Sequence, residues 1–150
     1  MRSLRRFLAL SVQQQWLLLK TLSLLAAVRL GLWVLPFRIV LRLIETLRRK
    51  GLYRLDTPSD SSASEVVWAV KAASRYVPKA TCLTQSLTAH CLLGRLGHPA
   101  KLEIGVARGK DGALEAHAWV ETGGETLIGS LPDLTRFSKF PPLDAKMQRF

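Results

Sequence analysis

The sequence predicts an α+β fold in which a run of helices precedes a small antiparallel sheet. Three observations predict it. Leucines recur at helical spacing through the first third of the chain, two further helical stretches follow with their own stop signals, and the remainder alternates with period two and turns at Gly123-Gly124. A length of 150 residues suits one core. With 48% apolar and 22% charged residues the chain is too apolar for a disordered tail, and its two cysteines are too few for a disulfide scaffold, so a reduced, compact protein is expected.

Taken in order, the leucine periodicity from Ser11 to Leu35 predicts a first helix, ended or kinked by Pro36. A second is expected over Arg38 to Arg49, with Ile39, Leu43 and Leu47 on one stripe and Gly51 as its stop. Asp56 to Ser64 is polar and serine-rich and predicts a linker, dividing a helical module over residues 1–55 from a second unit over 56–150. Ser62 or Ser64 can cap a helix over Glu65 to Tyr76, whose Val66, Val70, Ala73 and Val77 mark a buried face, and Pro78 closes it. The next helix starts near Thr81 or Cys82 and runs to about Leu96, with Gly97 as the stop. Leu102, Ile104 and Val106 then alternate as a strand, Glu115 to Glu121 forms a second, and Thr126 to Ile128 returns antiparallel after Gly123-Gly124.

The basic excess is local. Residues 1–50 carry ten basic residues and one acid, Glu45, a net of +9, whereas residues 51–150 carry twelve basic and ten acidic residues, a net of +2. Whatever the charge attracts should therefore dock on the first third. The uncharged runs Thr21 to Val28 and Leu30 to Phe37, separated by Arg29, are eight residues each. A membrane span needs roughly 18, so none is expected. Gln13, Gln14, Gln15 and Lys20 interrupt the apolar stretch that a signal peptide would need after Arg2, Arg5 and Arg6. The apolar stripes serve core packing, or else a groove for a partner or an interfacial helix. The basic residues are scattered among leucines without stacking aromatics, which argues against nucleic acid as a partner.

Cys82 draws attention because it opens a helix, where free N–H groups and the positive dipole end stabilise a thiolate and can hold an oxyanion. Cys91, nine residues on, is half a turn out of phase and roughly 13 Å along the axis. It cannot form a disulfide with Cys82 within one helix and reads as core. A nucleophilic thiol needs a base. His90 is two turns along the same helix and out of phase, so its side chain cannot return to the sulfur, and His98 lies in a Gly-His-Pro turn, where a surface position is the expectation. His117 lies on a strand whose Glu115, His117, Trp119 and Glu121 share one face, and it can be aimed at a helix N-terminus packed across the sheet. A two-residue turn at Gly123-Gly124 places Ser130 opposite His117, so no carboxylate faces the imidazole. Asp133 is the nearest downstream acid that could orient it, with Ser130, a backbone carbonyl or Glu115 as the alternatives. No histidine or cysteine spacing matches a metal site, and no cofactor is implied.

Three segments carry a resemblance to a known family. They are Ala80-Thr81-Cys82-Leu83-Thr84-Gln85-Ser86-Leu87, Gly97-His98-Pro99-Ala100-Lys101-Leu102-Glu103-Ile104-Gly105-Val106, and Glu115-Ala116-His117-Ala118-Trp119-Val120-Glu121. In this order and spacing, with an Arg- and Leu-rich start containing Leu35-Pro36-Phe37, the chain resembles the small B2-type proteins of lasso-peptide biosynthesis. These have a transglutaminase-like, papain-like cysteine protease core. The resemblance implies a cytoplasmic leader peptidase with Cys82 as nucleophile and His117 as base. It also implies three partners, namely a precursor leader peptide, a small B1-type leader-recognition protein and a lasso cyclase. Peripheral membrane contact of the helical third is a further expectation. The family's acidic third residue usually lies about a dozen residues after the histidine, where this chain has Gly129, which leaves Asp133 as the substitute acid.

Overall fold

The computed structural model describes residues 2–50 and 62–141. Its elements are α1 (Arg2–Leu8), α2 (Val12–Val34), α3 (Phe37–Lys50), α4 (Ala63–Ser74), α5 (Cys82–Arg95), β1 (Lys101–Arg108), β2 (Leu114–Thr122), β3 (Glu125–Ile128), a 3₁₀ turn over Leu134–Arg136 and β4 (Ser138–Lys139). The expected stop at Gly51, most of the linker and the 55/56 division lie outside the described residues.

Local chemistry explains the helix ends. Ser11 caps α2 in a reciprocal box, its hydroxyl accepting from the Gln14 N–H while the Gln14 side chain accepts from the Ser11 N–H. Pro36 follows the last turn of α2 and forces an extended residue at Leu35. The α5 stop is a Schellman turn in which the His98 N–H reaches the Leu93 carbonyl and the Gly97 N–H reaches Gly94, with Gly97 at φ +78°. α4 begins after Ser62, which stands at the N-cap position without a side-chain capping bond, its hydroxyl meeting that of Ser64 instead, and ends at Ser74 rather than Tyr76. Neither α1 nor β4 was anticipated, because seven and two residues are too short for a readable period.

α5 is the central element. On one side it packs against α2, α3 and α4, and on the other against an antiparallel sheet of order β3-β2-β1-β4. One cluster joins Val66 and Val70 of α4 to Ala89, Leu92 and Leu93 of α5 and to Val120 and Ile128 of the sheet. A second joins Val28, Val40, Leu41 and Ile44 to Leu87 and Cys91. The stripe on α3 that meets the core is thus Val40, Leu41 and Ile44, with Leu47 partly buried, whereas Ile39 and Leu43 are exposed. A third cluster, Ala107, Trp119 and Phe137, closes the opposite face of the sheet.

Candidate active site

β1 and β2 pair without interruption, and Gly105 stands opposite His117. The missing Gly105 side chain is needed, since a Cβ there would lie 3.0 Å from the Trp119 ring and 3.1 Å from Phe137. Trp119 therefore lies across β1, fully buried, with its indole N–H donated to Glu121 at 2.7 Å. His117 stacks beside it, its ring centroid 6.1 Å from Trp119 and 5.6 Å from Phe137. Two aromatic neighbours leave the imidazole little rotational freedom.

The β2–β3 register departs from a simple two-residue hairpin. Thr122 pairs with Glu125 and Glu121 with Thr126, but Val120 pairs with Ile128, so Leu127 is the extra residue of a bulge. The chain beyond it is displaced by one position, and Ser130 does not take the place opposite His117 that an unbulged ladder predicts. Gly129, at φ +81°, turns its carbonyl onto His117, with Nε2 to O at 2.7 Å. A carbonyl oxygen can only accept, so Nε2 carries a proton, and in the neutral ring Nδ1 then keeps its lone pair.

Asp133 sits just before the 3₁₀ turn, exposed, with its carboxylate held by the Arg136 Nε at 2.6 Å. Arg136 also pairs with Glu115. The acceptor on His117 is thus a backbone carbonyl rather than the Asp133 or Glu115 carboxylate.

Cys82 is the first residue of α5, half-buried, with Thr81 as N-cap, whose hydroxyl accepts from the Thr84 N–H at 3.4 Å. The N–H groups of Cys82 and Leu83 lie in the first turn, where no intrahelical carbonyl reaches them. One turn on, and so on the same side of the helix, the buried Ser86 hydroxyl donates to the carbonyl of Ala118 at 3.1 Å. That bond joins the head of α5 to the residue next to His117. Among the described residues, however, no hydrogen bond links Cys82 directly to His117. Sequence reasoning passed over Ser86. The available signal was a hydroxyl on the apolar side of α5, one turn from the cysteine.

The remaining thiol and histidine of α5 are structural. Cys91 is fully buried, and burial pushes its thiol above the ordinary range. His90 is also buried, its Nε2 bonded to Glu45 of α3 at 2.9 Å. His98 occupies the turn after α5, as expected.

A model of the transglutaminase-like superfamily matches residues 31–141, which include Cys82, His117 and Gly129. The chain belongs to the transglutaminase-like superfamily. The transglutaminase-like match begins within α2 and takes in all of α3, consistent with the burial of both helices against α5. Neither a curated protein nor a solved structure matches the chain significantly.

Proposed function

We propose that this transglutaminase-like protein is a cysteine peptidase that removes the leader from a ribosomally made lasso-type precursor. The observation that supports this reading is a helix-head thiol on the element that Ser86 ties to the strand carrying a histidine whose Nε2 faces a carbonyl. Cys82 leads α5, and the His117 Nε2–H is committed to Gly129, leaving Nδ1 as the base. Cys82 and His117 are the proposed catalytic residues. The reading requires the two side chains to come into direct contact as the peptide seats, since catalytic hydrogen bonds are often loose without substrate.

In the proposed reaction Nδ1 takes the Cys82 proton and the sulfur attacks the scissile carbonyl carbon. The oxyanion lies against the N–H groups of Cys82 and Leu83. The imidazolium then protonates the departing amine as the C–N bond breaks, which frees the amino terminus of the core peptide. Water, deprotonated by His117, hydrolyses the thioester and releases the leader acid. The freed amine suits a separate ATP-using cyclase, and a small leader-recognition protein would present the leader. We place this work in the cytoplasm.

Incubating the full chain with a precursor peptide and a B1-type protein, with products read by mass spectrometry, tests the reading. Cys82→Ala and His117→Ala abolish leader removal, and Cys91→Ala keeps most of it. Full activity in Cys82→Ala would sink the proposal. A crosslinked product in place of two fragments would reassign the same Cys-His pair to acyl transfer.

A further inference from the structure

α2 has two apolar sides, and among the described residues only one of them packs against the rest of the fold. Leu17, Thr21, Leu25 and Val28 are buried against the body of the protein. Val12, Trp16, Leu19, Leu30 and Trp33 are exposed at 68%, 58%, 46%, 59% and 78%. At about 100° per residue the exposed set falls on one side, about half a turn from the buried set, and from Val12 to Trp33 it runs for about 30 Å. Ser23, Ala26 and Ala27, also exposed, fill the middle of the stripe with small side chains.

The charges around this ridge have one sign. Arg5 and Arg6 are exposed on α1, just before its start, and Arg38 and Arg42 are exposed on α3, just after its end. None of the four is in an ion pair among the described residues. Glu45, the only acid in residues 1–50, is turned inward onto His90 and Arg48. A protein partner of ordinary composition meets charges of both signs at its rim. A straight apolar ridge with a tryptophan near each end, bracketed by arginines and with no exposed acid among the described residues of α1, α2 and α3, complements an anionic bilayer surface.

We propose that α2, with the adjoining arginines of α1 and α3, seats this protein on anionic lipid, lying in the membrane interface rather than crossing it. α2 is long and apolar enough to span, by length and composition. Spanning would strip Leu17, Leu25 and Val28 from the core, whereas lying flat keeps them buried and uses only the free side. This inference stands on the helices alone and does not depend on the peptidase reading.

The test is sedimentation of the full chain with phosphatidylcholine vesicles, with and without phosphatidylglycerol. Binding should require phosphatidylglycerol, weaken with salt, and fall at least about tenfold in Arg38→Glu/Arg42→Glu. Trp16→Glu/Trp33→Glu should abolish it without lowering the Tm, because both side chains are outside the core. Brominated lipid should quench Trp16 and Trp33 in a Trp68→Phe chain and leave the buried Trp119 bright, which needs no change at the ridge. Equal binding by the Trp16→Glu/Trp33→Glu chain, or no binding to anionic vesicles at low salt, overturns the proposal. So does bound protein that resists alkaline carbonate extraction, which would mean a spanning helix. A soluble dimer that Trp33→Glu dissociates would assign the ridge to a second copy and overturn it equally.

Discussion

The imidazole of His117 can act as a base toward a thiol only if the proton sits on the far nitrogen, and here that proton is held by a main-chain oxygen. Where the resemblance leads one to expect an acid, the chain has Gly129, and no larger residue fits its conformation. A Cβ would lie 2.6 Å from the Ala118 oxygen and 2.9 Å from the Trp119 Cβ, on a backbone at φ +81°. Nitrogen-15 NMR of the full chain should therefore find the neutral His117 as the Nε2–H tautomer. Gly129→Ala should mix the tautomers and lower kcat at least about tenfold, since an unoriented imidazole loses its correct tautomer. An Nδ1–H tautomer in the native chain would remove Gly129 from this role. Asp133→Asn, which disturbs only the pair with Arg136, should leave the tautomer unchanged.

At the scale of elements, the bond from Ser86 to Ala118 is the tie between the helix that carries the thiol and the strand that carries the base. Ser86→Ala leaves a buried carbonyl without its donor, which costs about 1–3 kcal/mol. We expect that loss in chemical denaturation, together with a lower kcat and a nearly unchanged KM. Ser86→Thr, which restores the hydroxyl, recovers part of the rate. A stability loss with kcat unaltered would make the bond a packing feature and nothing more. The helices α4 and α5, the hairpin and the strand faces are all legible in the sequence, because each is set by local period and end signals. The bulge at Leu127 is not, since Thr126, Leu127 and Ile128 read equally well as an unbroken strand.

For the whole molecule, α3 is held to α5 by apolar packing and by Glu45, which bonds His90 and Arg48. Burial by itself pushes the Glu45 carboxyl up, but the hydrogen bond and charge of His90, then of Arg48, outweigh it and its pKa is lowered. A carboxyl lowered in the folded state adds stability that is present above its ordinary value and is lost as the pH falls through the folded one. The Tm should therefore drop below about pH 4.5, and Glu45→Gln should remove that part of the drop while lowering the Tm at neutral pH. An acid limb unchanged in Glu45→Gln would show that other carboxylates set it. The helical third and the α5–sheet body share their core through this contact, so acid should loosen both together.

By itself the sequence determined the longer helices and strands, that Cys82 heads a helix, and that His117 shares a strand face with Trp119. Each of these follows from spacing within about a dozen residues. Only the tertiary structure decided what orients His117, which stripe of α3 is buried, and which side of α2 stays uncovered. The physical reason is the same in all three cases. A bulge moved the chain by one residue, a glycine let two backbones touch, α2 is apolar on two sides and could have packed by either, and the one apolar face of α3 is broader than the strip its neighbours cover. Such choices are made by contacts between distant segments, and no local period records them.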